Sequence, residues 1–204
     1  MEIEIKYRLQ ESGYTDLCSL LGDPIEIQKQ TNHYYLLKNK KGEELQGMAR
    51  LRFFSERCVL TFKDSHVLKD GIATCVEQEC DLNPEEAQQF IGAENNSKFF
   101  TQFAECSVCK YLQKKYQPST INYKGKIQNH RSVYNWNDLH LEIDKTTYDF
   151  GVGYEIELEV NAERGSELLN KTKEKLTNFL KNNNIPFKHS QSSKFSNFLK
   201  KQIL

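Results

Sequence analysis

Along much of the chain, polar and apolar residues alternate every second position, the mark of strands with one charged and one apolar face. The alternation predicts strands over Met1–Leu9, Ala49–Phe54, Cys58–Lys63, Thr74–Leu82, Lys126–Asn135, His140–Tyr148 and Gly153–Val160. A less cleanly patterned strand spans Gln30–Leu36 and carries Tyr34 and Tyr35. Helical spacing predicts Thr15–Leu21, with Thr15 as N-cap, a helix opening at Asn83-Pro84, and an amphipathic stretch over Lys98–Tyr116. The longest helix is expected over Arg164–Asn184, with Leu168, Leu169, Leu176, Phe179 and Leu180 on one side, and a short one follows from Ser192. These elements describe an α+β domain built on antiparallel sheet with helices outside it.

Side chains of a strand point alternately to its two faces. Glu2, Glu4, Lys6 and Arg8 therefore share a side, with Ile3, Ile5, Tyr7 and Leu9 opposed. Arg50 and Arg52 oppose Leu51 and Phe53, and Lys63 with Thr61 opposes Leu60 and Phe62. Glu77 and Glu79 oppose Val76, and Glu142 and Asp144 oppose Leu141 and Ile143. Glu155, Glu157 and Glu159 oppose Ile156, Leu158 and Val160. One such face is ordinarily the solvated side of a sheet. Here whole strands carry one sign, and two unit charges about 6 Å apart repel by about 3 kcal/mol at an effective dielectric near 20. Divalent cations would relieve that repulsion. The arrangement that uses both signs is an eight-stranded antiparallel barrel, charged faces inward and apolar faces under helices, wide enough for one small ligand. Carboxylate oxygens select Mg²⁺ or Mn²⁺, and Arg and Lys match phosphate oxygens. The expected ligand is a metal-bound polyphosphate, and the expected reaction is in-line attack of water on a terminal phosphoryl group.

Composition narrows the partners. The 204 residues carry 28 Lys+Arg against 28 Asp+Glu, which fits one globular domain over 1–204, its C-terminal helix at 192–204 included. A balanced charge argues against nucleic acid, and no RNP aromatic motif, zinc-finger spacing or basic block is present. No apolar run approaches the about 20 residues that span a bilayer, and Met1-Glu2-Ile3-Glu4 lacks a signal peptide's character, so the expected address is cytoplasmic, away from the membrane. Six cysteines at 18, 58, 75, 80, 106 and 109 are expected as reduced, buried thiols, because a zinc site normally shows two tight ligand pairs and Cys106-x-x-Cys109 is alone. No GxxxxGK[ST] and no HExxH pair occurs.

Glu2-Ile3-Glu4-Ile5-Lys6 resembles the ExExK signature of the CYTH domain, the fold of the triphosphate tunnel metalloenzymes. The likeness continues in order through Arg50-Leu51-Arg52, Lys63, Glu77-Gln78-Glu79, Arg131, Leu141-Glu142-Ile143-Asp144, Tyr148-Asp149-Phe150-Gly151, Tyr154-Glu155-Ile156-Glu157-Leu158-Glu159 and Lys194-Phe195. It is similar to small eukaryotic members of the plant tripolyphosphatase and animal thiamine triphosphatase kind. The resemblance implies that Glu2, Glu4, Glu79, Asp144, Glu155 and Glu157 surround one or two divalent metals. It implies phosphate contacts from Lys6, Arg50, Arg52, Lys63 and Arg131, and a Lys194 that orients or deprotonates the attacking water. It also implies a small-molecule triphosphate as substrate, and a monomer is expected.

Two positions depart from the family pattern. Cys75 stands where a basic residue is usual, so one phosphate contact is either missing or supplied by Lys69, and Tyr34-Tyr35-Leu36-Leu37 lacks an aspartate that many members carry. Animal thiamine triphosphatases place a tryptophan just before the arginine pair, where this chain has Ala49; the lone Trp136 lies elsewhere. Without that stacking platform, inorganic tripolyphosphate is the expected substrate and thiamine triphosphate the alternative. A non-catalytic polyphosphate- or nucleotide-binding module and an adenylyl cyclase are the competing readings.

Overall fold

The computed structural model describes residues 1–161, 163 and 165–203. The strands are β1 (Glu2–Leu9), β2 (Glu26–Lys38), β3 (Met48–Phe53), β4 (Cys58–Lys69), β5 (Ile72–Leu82), β6 (Thr120–Trp136), β7 (Leu139–Tyr148), β8 (Gly151–Glu159) and β9 (Phe187–His189). The helices are α1 (Glu11–Leu21), α2 (Pro84–Gln88), α3 (Lys98–Gln102), α4 (Ser107–Lys115), α5 (Glu167–Asn182) and α6 (Lys194–Lys200). All eight expected strands are present, and β9 is an addition.

The order is β5-β4-β3-β2-β6-β7-β8-β1-β9, and β5 also pairs with β1. That last pairing, antiparallel with Glu2 opposite Cys75 and Ile5 opposite Ile72, closes eight strands into a barrel. β9 stays outside, on the end of β1 at Tyr7–Leu9.

Several helix expectations are corrected. Thr15 lies inside α1, where its hydroxyl donates to the Glu11 carbonyl at 3.0 Å, and Gln10 is the N-cap. Asn83 caps α2 as expected, accepting from the Glu85 and Glu86 amides. The stretch over Lys98–Tyr116 is two helices, broken where Cys106 turns extended as the N-cap of α4. Cys106 is not on a helix face and is not a free thiol: it forms a disulfide with Cys80. Cys18, Cys58, Cys75 and Cys109 stay outside the disulfide, as expected, the last three buried and Cys18 partly so. α5 is capped by Ser166; the expected start at Arg164 lies outside the described residues. Leu169, Leu176 and Leu180 form its buried stripe, while Leu168, about 100° round the helix, is 57% exposed.

The chain divides into two compact units: Met1–Lys29, Val67–Cys75 and Asn129–Leu204 in the first, Gln30–His66 and Val76–Gln128 in the second. In the first, Ile3, Ile5, Tyr7, Leu141, Ile143, Ile156 and Leu158 pack beneath Leu17 of α1 and the α5 stripe. Burying each such side chain contributes about 1.5–3 kcal/mol. In the second, Tyr35, Leu51, Leu60 and Phe62 pack against Phe99, Phe100, Val108 and Leu112 of the helices. In each unit the helices thus cover the apolar strand faces and leave the charged faces on the barrel side.

Candidate active site

Strand register assembles the charges of the first unit. Lys6 lies directly opposite Glu157 and Arg8 opposite Glu155 across β1 and β8. Across β7 and β8, Glu142 faces Glu157 and Asp144 faces Glu155, and like charges in such positions destabilise a sheet. Arg131 of β6 answers part of this: its Nε and Nη2 donate to the two oxygens of Asp144 at 2.8 and 2.7 Å, and Nη2 reaches Glu157 Oε2 at 2.6 Å. Arg131 also pairs with Glu142. Lys6 pairs with Glu157 and lies 3.0 Å from Glu4 Oε2. Lys194, the first residue of α6, sets its Nζ 2.8 Å from Asp144 Oδ2, 3.2 Å from Glu155 Oε2 and 2.5 Å from Glu157 Oε1. Asn129 donates to Asp144 Oδ1 at 2.9 Å and accepts from Thr146 at 2.7 Å.

These groups are out of water: Asp144 is 0% exposed, Glu155 1% and Glu157 3%. Burial pushes the Asp144 carboxyl up, yet Arg131 and Lys194 outweigh it and hold it well below the usual carboxylate range. Glu157 is likewise held low against burial by Lys194, Lys6 and Arg131. Glu142, with a weaker share of positive charge, is pushed up to about 7 by burial despite Arg131. Burial pulls Lys194 down, but Asp144, Glu155 and Glu157 raise it well above an ordinary lysine. Held so, Lys194 is an ammonium at neutral pH and a poor proton acceptor.

The second unit carries its own charged face. Asn32 lies opposite Arg52, Tyr34 opposite Arg50, and Arg50 opposite Thr61. Arg50 donates to Thr61 Oγ1 at 3.1 Å and lies 3.6 Å from both Glu77 Oε1 and Glu79 Oε1. Thr61 donates to Glu79 at 2.7 Å, Lys63 pairs with Glu77 at 2.7 Å, and Arg52 Nε donates to Asn32 at 2.9 Å. Burial pushes Glu79 up, but the Thr61 hydrogen bond and Arg50 bring it below the usual range. Tyr34 shares the face of Arg50, whereas Tyr35 points to the apolar side and donates to the Phe90 carbonyl at 3.0 Å. Trp136 packs on Phe179, ring centroids 5.7 Å apart, in the apolar core of the first unit.

Of the residues singled out in the sequence, Glu4, Lys6, Arg131, Asp144, Glu155, Glu157 and Lys194 meet in the first unit. Arg50, Lys63 and Glu79 meet in the second, with Arg52 on Asn32. Glu2 accepts from the Cys75 thiol at 2.8 Å, so the cysteine that replaces a basic residue is a hydrogen-bond donor to a carboxylate. Lys69, its expected substitute, is exposed at the end of β4. Sequence reasoning put Arg8 on the charged face of β1 without giving it a role, and passed over Asn129, two positions before Arg131 on the same face.

The donor set fits a hard divalent cation. Both carboxylate oxygens of Glu155 are buried and accept no hydrogen bond among the described residues; each faces a protein cation at 3.2 Å, Arg8 Nη2 on Oε1 and Lys194 Nζ on Oε2, and carboxylate oxygens of this kind are the donors a hard divalent cation takes.

Comparison with known proteins agrees with this fold. A Hippeastrum protein proposed as an adenylyl cyclase, and described as having a dominant triphosphatase activity, is 29% identical. The match covers 100% of this chain and 98% of that one, with a TM-score of 0.88. A Bacillus halodurans protein, also proposed as an adenylate cyclase, is 21% identical over 97% of each chain with a TM-score of 0.70, and shares the fold. So does a chain of the Schizosaccharomyces pombe Mediator head module, 12% identical over 92% of this chain and 97% of its own, TM-score 0.52. No curated protein matches. The CYTH domain model matches residues 1–187, and the chain belongs to the CYTH domain family.

Proposed function

We propose that the protein is a divalent-metal-dependent triphosphatase whose preferred substrate is inorganic tripolyphosphate. The observation that carries this reading is the buried cluster of Asp144, Glu155 and Glu157 with Lys6, Arg131 and Lys194. Buried ion pairs are often less stabilising than apolar side chains of the same volume, so a fold that keeps this many has a use for them beyond stability. The triphosphatase activity described for the Hippeastrum protein supports the same class.

Glu4, Asp144, Glu155 and Glu157 would hold the metal, with Glu2 and Glu79 as further ligands, and Mg²⁺ or Mn²⁺ there would supply charge neutralisation of phosphoryl oxygens. Lys6, Arg50, Arg52 and Lys63 bind phosphate oxygens as fixed cations. Arg131 holds Asp144 and Glu157 in place. Lys194 acts as an ammonium that orients water and does not take its proton. Tripolyphosphate is favoured over thiamine triphosphate because Ala49 precedes the arginine pair and Trp136 is committed to the core, 8% exposed.

The experiment is phosphate release from tripolyphosphate, thiamine triphosphate, ATP and pyrophosphate, each with Mg²⁺, Mn²⁺ and Ca²⁺, with cyclic AMP followed alongside for ATP. Tripolyphosphate is expected to show a kcat/KM at least tenfold above the other three. Faster turnover of thiamine triphosphate would reassign the substrate, and binding without release would make the protein a polyphosphate-binding module.

A further inference from the structure

Lys194 touches three carboxylates. Asp144 also has Arg131, and Glu157 also has Lys6 and Arg131. Glu155 has Arg8, its cross-strand partner, with Nη2 3.2 Å from Oε1. Among the described residues no cation besides Lys194 and Arg8 pairs with Glu155. Arg8 makes no other ion pair there, and its Nε, Nη1 and Nη2 are buried without a hydrogen-bond partner. Leaving guanidinium donors dry and unsatisfied is costly, so packing alone does not explain this side chain. Room for it is made by Gly153 on β8, where a Cβ would come 3.0 Å from Arg8 Nη1.

We infer that Arg8 is a positioning residue of the metal centre: it fixes the Glu155 carboxylate from the side opposite Lys194, so that both oxygens stay aimed as ligands. The inference rests on the reading of Glu155 as a metal ligand. Arg8 itself contacts neither metal nor substrate. Its sign makes it testable. A cation beside a cation site weakens metal binding by simple repulsion, so removing it should tighten the site; removing a positioning residue should loosen it.

The test is a titration of Mn²⁺ alone, without substrate, read by the electron paramagnetic resonance signal of free Mn²⁺. Arg8→Met is expected to raise the Mn²⁺ Kd five- to tenfold, and Arg8→Lys, which keeps the charge, to recover much of the loss. Gly153→Ala, which keeps every charge and displaces the guanidinium, is expected to loosen Mn²⁺ in the same direction. An unchanged or tighter Kd in folded Arg8→Met overturns the inference. If that variant does not fold, Gly153→Ala decides: a looser site upholds the role, and a wild-type Kd overturns it. Wild-type protein that takes up no Mn²⁺ removes the metal reading, and the role of Arg8 with it.

Discussion

Arg52 and His33 occupy opposite faces of the second unit's strands, and each makes a different demand on the surrounding structure. Arg52 is half-buried, and its Nε donates to Asn32 Oδ1 at 2.9 Å. Its charge also helps hold the Glu79 carboxyl low, so a phosphate reaching Arg52 meets a cation already fixed on the charged face. Arg52→Ala is expected to weaken tripolyphosphate binding at least tenfold by calorimetry while changing the unfolding free energy by about 1 kcal/mol or less; wild-type affinity would refute its role. His33 is buried beside Phe53 and Tyr123, with Nδ1 3.1 Å from the Tyr123 hydroxyl. Burial, aided by Lys126, lowers its imidazole from 6.5 to about 4. The folded state thus refuses a proton that the unfolded chain accepts below pH 6.5. Stability is complete above 6.5 and falls as pH drops toward 4, by about 3 kcal/mol or less at about 1.4 kcal/mol per pH unit. Urea midpoints from pH 7 to 4.5 should fall more steeply for the wild type than for His33→Gln, and parallel slopes would contradict the assignment.

Among the elements, the strands were legible because alternation survives at every length from β3 to β6. β9 was not: three residues, Phe187-Lys188-His189, are too few to show a period, and only pairing with β1 makes them a strand. The start of α1 was hidden by Gly13, which weakens a helical pattern yet is needed where a Cβ would come 3.1 Å from the Pro186 carbonyl. The site was readable in outline because charge alternates with the strands. Which carboxylate meets which cation was not, since it depends on register between strands distant in sequence, as with Lys6 and Glu157. The Cys80–Cys106 disulfide escaped for the same reason: it joins β5 to the N-cap of α4 across 26 residues. A loop of that length constrains the unfolded chain by about 3.5 kcal/mol in the chain-entropy model. Reduction, or Cys80→Ser, is expected to lower the thermal midpoint by several degrees without loss of far-ultraviolet circular dichroism; an unchanged midpoint would show that the bond does not form in solution.

At the scale of the whole molecule, the closed barrel sorts one alternating sequence into an outer apolar surface covered by helices and an inner charged one. The same fold in the Mediator head module carries no information about catalysis by itself. Function rests on the charged faces. The most direct test is orthophosphate release from tripolyphosphate by wild-type protein and by Glu157→Gln, each with and without Mn²⁺. The account predicts release by the wild type only with the metal, and at least a hundredfold loss in a folded Glu157→Gln variant. Equal release by the two proteins, or full release by the wild type in chelator, would contradict it.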